Sequence, residues 1–130
     1  MSIIDHIGFA VSDFARSRAF YQAALKPLGI GAIMEVTAEE TGGAAHCGFG
    51  VAKPEFWITS GAPFTGVLHV AFCAPDRKTV DAFHAAAIEA GGRDNGAPGL
   101  RPHYHPDYYG AFILDPDGHN IEAVCHSPAA

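Results

Sequence analysis

Two histidines and one glutamate stand out by type and spacing. His6 and His69 are 63 positions apart, and each opens a short apolar run. Glu122 interrupts another such run near the end of the chain. Two imidazoles and a carboxylate with open positions suit Fe(II), Mn(II), Zn(II) or Ni(II). A metal held that way binds and polarises a substrate oxygen. A lone strand histidine is more often a hydrogen-bonded core residue. The repeat described next is what favours ligation.

Residues 4–25 read IDHIGFAVSDFARSRAFYQAAL and residues 67–88 read VLHVAFCAPDRKTVDAFHAAAI. Without a gap, His6 falls on His69, Phe9 on Phe72, Asp13 on Asp76, Phe20 on Phe83 and Ala24 on Ala87. A shift of half the chain means two copies of one unit, since a solenoid needs three or more. Each copy opens with a β-branched and aromatic strand, over 3–11 and 67–73. Asp13 and Asp76 are then placed to cap helices, which Gly29 and Gly91-Gly92 close.

Further strands are predicted over 30–36, 44–51 and 55–59, and again over 93–95, 110–114 and 120–125. The Asp115-Pro116-Asp117-Gly118 turn makes a hairpin of the last two. Residues 96–109, with three prolines, read as a long functional or mobile loop. The predicted fold is α+β: two tandem βαβββ modules, 1–62 and 63–130, forming a curved mixed sheet around a cleft.

Strand alternation sorts the side chains. Ile7, Phe9 and Val11 share one face of the first strand, and His6, Gly8 and Ala10 the other. Leu68, Val70 and Phe72 oppose His69, Ala71 and Cys73. Small neighbours leave each histidine room, and a pseudo-twofold axis could bring the two together. Glu122 lies with Asn120 and Val124, opposite Ile121, Ala123 and Cys125.

These segments, with DPDGHNIEAV near the end, resemble the vicinal oxygen chelate superfamily of glyoxalase I, bleomycin-resistance proteins, fosfomycin-resistance enzymes and extradiol dioxygenases. The resemblance covers nearly the whole chain. It implies paired βαβββ modules, a homodimer, and one divalent metal ion (Zn, Ni, Mn or Fe) on His6, His69 and Glu122. Glyoxalase I enzymes commonly add a fourth carboxylate from the last strand of the first module. Here Trp57 takes that position, and only a slip of two residues would present Glu55. Glyoxalase-like lyase or isomerase chemistry is the leading expectation. Thiol transfer of the fosfomycin type, extradiol dioxygenation and metal-free drug binding are the alternatives.

The segment 101–109 is the other rich one. Arg101 could hold a carboxylate or phosphonate, and Tyr104, Tyr108 and Tyr109 could line a pocket. Glu122, Glu55 or His105 could move a proton. Trp57 reads as a cavity wall. His84 is expected half-exposed, His119 and His126 at the surface, and Cys73 and Cys125 as small buried hydrophobes. His46 and Cys47, being adjacent on a strand, point apart and form no catalytic pair.

The 130 residues carry 8 basic and 14 acidic side chains, a formal charge of −6. No basic patch suits nucleic acid or an anionic membrane, and no apolar run is long enough to span one. No P-loop or dinucleotide fingerprint occurs. The expected ligand is a small-molecule substrate. Three cysteines and an N-terminus unlike a signal peptide lead to the expectation of a cytoplasmic protein.

Overall fold

Strand β1 (Ile7–Val11) leads through Ser12 to α1 (Phe14–Ala24), where the Asp13 carboxylate accepts the Arg16 N–H at 3.1 Å. This is the computed structural model of the chain, and it describes residues 3–129. A short 3₁₀ turn over Lys26–Leu28 ends at Gly29, whose φ of 75° terminates it. Strands β2 (Gly31–Val36), β3 (His46–Gly50) and β4 (Pro54–Ser60) complete the first module. A four-residue helix, α2 (Ala38–Thr41), capped by Thr37, sits between β2 and β3, where the sequence pattern predicts none.

The second module repeats the plan with β5 (His69–Cys73), α3 (Arg77–Glu89), β6 (Arg93–Leu100), β7 (Tyr109–Leu114) and β8 (Asn120–Cys125). Asp76 caps α3 through the Thr79 N–H at 2.7 Å. The sheet orders are β1-β4-β3-β2 and β5-β8-β7-β6, each with its first two strands parallel and the rest antiparallel. The duplication is thus repeated in topology. The result is two four-stranded mixed sheets.

Several boundaries move. The first strand of each module starts later than the apolar run suggested, at Ile7 and His69. Strand β6 runs on to Leu100, where a loop was expected from Gly96. Its register shifts between Asp94 and Gly96 and again between Gly96 and Gly99. Bulges of this kind admit Pro98, which a regular ladder would reject. The remaining loop, 101–108, is closed at its ends by Arg101 N–H donating to the Tyr108 carbonyl at 2.7 Å.

The core fills the inner faces of both sheets and the helices against them. Val11, Phe56, Ile58, Phe20, Tyr21, Val80, Phe83, Ile113 and Ile121 are all buried. Phe56 of β4 meets Phe72 of β5 edge-on at 5.1 Å, so the two modules share one interior. Truncating such a ring to alanine costs about 3–5 kcal/mol. Tyr21 of α1 donates to Asp115 in the β7–β8 turn, and Ser12 donates to Asp117 there, tying the modules by hydrogen bonds as well. Because the shared core holds the inner faces, nothing in it draws the two outer faces together. Those outer faces carry the candidate ligands.

Candidate metal centre

Glu122 sits on the outer face of β8, flanked in register by Ala71 of β5 and Phe112 of β7. His69 stands two residues before Ala71, a diagonal neighbour that a long side chain reaches. Small Ala71 leaves the gap open. His69 Nε2 and Glu122 Oε1 are 2.8 Å apart. The second carboxylate oxygen, Oε2, accepts the Tyr108 hydroxyl. The Glu122 side chain is 1% exposed and that of His69 46% exposed. A buried carboxylate at the floor thus presents one oxygen beside an imidazole that opens to solvent.

The electrostatics are consistent with that burial. An ionised carboxylate out of water needs donors, and His69 and Tyr108 supply them. Burial, and then the hydrogen bond to Glu122, push the Tyr108 phenol well above the ordinary tyrosine range. Tyr108 therefore stays protonated and keeps donating.

The pair fits a metal ion as two adjacent ligands. Donors bound side by side at about 2.1 Å from one ion lie about 3 Å apart, close to the observed separation. No group of three histidine, cysteine, aspartate or glutamate side chains disposed to hold a metal occurs among the described residues of a single chain.

His6 is therefore not brought to His69 and Glu122 within the chain. It precedes β1 on the other module, with its side chain 62% exposed. Its Nδ1 is 2.8 Å from Asp5, and Asp5 also pairs with Lys53. Those bonds, Lys53 first, hold the Asp5 carboxyl below its ordinary range. A carboxylate on Nδ1 leaves Nε2 as the nitrogen available for a ligand.

Trp57 also belongs to the first module. Its ring lies over Gly48, where an added Cβ would come within 2.9 Å of it, and it shares the outer face with Gly8. Trp57 thus walls the face of His6, not that of Glu122. Continuing the Ile7–Phe56 register one step back puts exposed Glu55 beside His6.

The rich loop divides. Tyr108 reaches Glu122, and the exposed Tyr104 packs its ring at a tilt against Tyr108, 4.7 Å between centroids. Tyr109 does not join them. One residue on, it points to the helix side, donates to Asp81 at 2.6 Å and lies under Arg77. Arg101 is not a free anion clamp. Its guanidinium donates to the Gly99 and Ala97 carbonyls at 2.9 and 2.8 Å and covers the Phe112 ring.

His105 is likewise engaged. Its Nδ1 accepts the Asp107 N–H at 3.1 Å, and its Nε2 is 2.8 Å from His126 Nδ1. A ring accepting at Nδ1 carries its proton on Nε2 and donates it to His126. His105 therefore faces His126 with both nitrogens used and is not poised to shuttle protons at Glu122.

Other expectations are corrected too. His119 is buried, edge-on to Phe9 at 5.2 Å, because the first module covers it. Cys73 is exposed, since it lies on the outer row of β5. His126 is exposed, and His84 is half-buried against Asp94, both as read. His46 faces Thr59 while Cys47 is buried in the core, so they do point apart.

Sequence reading missed Gly110 and Phe112. Both lie on the β7 row facing Glu122, and the hairpin register fixed by the 115–118 turn was the signal that could have found them. A Cβ at Gly110 would come within 3.1 Å of Glu122 Oε2 and 3.2 Å of the Tyr108 ring.

The chain belongs to the Glyoxalase/Bleomycin resistance protein/Dioxygenase superfamily, which it matches over residues 3–123. Among solved structures it is similar to a glyoxalase/bleomycin resistance protein from Albidiferax ferrireducens. The identity there is 28% and the TM-score 0.73, covering 97% of this chain and 100% of that one. It is similar in fold to a mutant of the fosfomycin resistance protein FosX from Listeria monocytogenes, complexed with Mn(II) and 1S,2S-dihydroxypropylphosphonic acid. That likeness is 19% identical with a TM-score of 0.68, covering 95% and 90% of the two chains. A mutant of glyoxalase I from Zea mays is 24% identical with a TM-score of 0.71, covering 93% of this chain and 46% of that one. The comparison with curated proteins returns no match. No helix among the described residues is long and apolar enough to cross a membrane.

Proposed function

We propose that the chain is a divalent-metal-dependent enzyme of the vicinal oxygen chelate type, acting on a small oxygen-rich substrate. Glyoxalase-like lyase or isomerase chemistry is the leading case. The observation that carries the reading is the buried Glu122 carboxylate with one oxygen 2.8 Å from the half-exposed His69 imidazole. His69 and Glu122 of one chain, with His6 of a second copy, would hold the ion. The chemistry such an ion supplies is Lewis acidity toward substrate oxygen.

Several features support a homodimer that completes the site. Among the described residues, strands β1 and β5 are edge strands of their sheets, with one side unpaired. Ile3 beside His6, and Phe64 and Val67 before His69, are large apolar side chains left exposed. A second copy related by a twofold axis would cover both edges at once. It would bring Trp57 and Glu55 of one copy toward Glu122 of the other, making Trp57 a cleft wall and Glu55 the second candidate for moving a proton. Mn(II) in the FosX structure makes Mn a natural first ion to try, beside Zn, Ni and Fe. The engagement of Arg101 with backbone carbonyls counts against a phosphonate substrate held by that residue.

The test is metal retention. Purified protein supplied with Mn, Ni, Zn or Fe should keep about one ion per chain. His69→Ala and Glu122→Gln should lose it while circular dichroism stays unchanged. Turnover of the methylglyoxal–glutathione adduct, compared with epoxide–thiol and catechol assays, then decides the reaction. Retention of metal by both variants, or no uptake of any of the four metals by the parent, would refute the reading.

A further inference from the structure

We infer that Tyr108 is a positioning residue for Glu122: its hydroxyl engages Oε2 and so leaves Oε1, beside His69, as the single oxygen offered to an ion. The inference rests on the metal-dependent reading above and adds what sets the affinity and mode of coordination.

Glu122 is buried at the floor of the site, and its two oxygens have different surroundings. Oε1 faces His69, which opens to solvent, while Oε2 faces the Tyr108 hydroxyl. A carboxylate with both oxygens free can turn either one to an ion or chelate with both. With Oε2 holding the Tyr108 hydroxyl, binding through Oε1 alone keeps that bond undisturbed, whereas chelation by both oxygens would have to share it. More positions on the ion are then left for substrate oxygens.

Tyr108 is itself held in place. Its ring is packed against Tyr104 at 4.7 Å, His105 at 5.6 Å and His126 at 5.4 Å. Its carbonyl closes the 101–108 loop by accepting the Arg101 N–H. Gly110 adjoins both groups, and any side chain there would crowd the carboxylate and the Tyr108 ring. A ring fixed by its neighbours delivers its hydroxyl to one place. Partners behind a metal ligand typically govern affinity by 10–100-fold.

Tyr108→Phe keeps the ring and removes the hydroxyl. Binding of Mn(II), followed by electron paramagnetic resonance, should weaken by about 10–100-fold. The Co(II) absorption spectrum should change, and the infrared carboxylate bands that vanish in Glu122→Gln should shift toward the two-oxygen pattern. Tyr104→Phe, in the same ring cluster but with no bond to Glu122, should leave all three readouts unmoved. Gly110→Ala, which crowds Oε2 and the Tyr108 ring together, is the second variant and should weaken binding in the same sense. A merely structural role would lower the melting temperature without moving the Co(II) spectrum or the carboxylate bands, and that outcome overturns the inference. So does Mn(II) affinity within about threefold of the parent in Tyr108→Phe. Failure of the parent protein to bind any of the metals is a different result: it removes the metal reading itself, and this inference with it.

Discussion

Nε2 of His69 lies 2.8 Å from Oε1 of Glu122, across 53 residues of sequence. The parallel pairing of β5 with β8 makes that approach possible, and Ala71 keeps the space between them open. Without a metal the contact is a hydrogen bond from the imidazole to a buried carboxylate. An ion bound there would take the place of that hydrogen bond, using one lone pair from each partner.

The pairing can be tested in metal-free protein. His69→Ala removes one of the two donors that Glu122 has at its buried position. Stability should fall by about 1–3 kcal/mol, the cost of an unsatisfied buried acceptor. Glu122→Gln removes the charge and keeps a polar group of the same shape, so its loss should be smaller. Urea unfolding of both proteins with chelator present checks the order, and a larger loss in Glu122→Gln would contradict the pairing.

Assembly of the site between copies makes a sharper prediction. His6→Ala and Glu122→Gln should each abolish metal binding alone. Mixed after subunit exchange, the two variants form hybrids with one intact site. That site takes His6 from the chain bearing Glu122→Gln, and His69 with Glu122 from the chain bearing His6→Ala. Random pairing restores about a quarter of the parent's bound metal. Metal content of the mixture, measured against each variant alone, checks this. No recovery despite demonstrated exchange would mean that the copies do not share ligands.

The duplication was readable because both modules keep the same residue types 63 positions apart, and each copy's sheet has the same strand order. Strand β8 matched its predicted bounds, since Asp115 accepts the Asp117 and His119 N–H groups and fixes where the strand begins. Alternation separates His69 from Val70 and Phe72, and Glu122 from Ile121 and Ala123, and the two meet across the β5–β8 pair. Tyr108 was seen as a pocket residue, but its bond to Glu122 was not, because loop geometry follows no period. Tyr109 departs from the pocket reading for the opposite reason: it opens β7, and strand alternation already governs it. The burial of His119 depends on Phe9 of the other module, a contact invisible to local reading.

Thiol labelling should separate the three cysteines. Cys47 and Cys125 are buried, and burial pushes the Cys47 thiol above its ordinary range, so neither should react in the folded protein. Cys73 is exposed and lies on the same outer row as His69. An aromatic disulfide reagent should therefore label one thiol per chain quickly and the other two only on unfolding. Its rate at Cys73 should fall as protein concentration rises, because the proposed partner copy covers that row. A rate independent of concentration would count against that placement of the partner.

Alkaline stability should report one of the bonds that join the modules. Tyr21 is fully buried and donates to Asp115, and burial first, then the Asp115 charge, push its phenol well above the ordinary tyrosine range. The unfolded chain gives up this proton near pH 10, whereas the folded chain keeps it. Unfolding then releases a proton, so stability is intact below about pH 10 and falls above it by up to about 1.4 kcal/mol per pH unit. Tyr108 and Tyr109 are raised in the same direction and add slopes of the same sign. Tyr21→Phe should lose about 1–3 kcal/mol at neutral pH, because Asp115 Oδ2 loses its donor in a buried position. It should also show a shallower decline above pH 10, having lost one of the groups that drive it. Urea unfolding from about pH 8 to 11 measures both effects. An unchanged alkaline slope in Tyr21→Phe would mean that this phenol is not what couples the modules to pH.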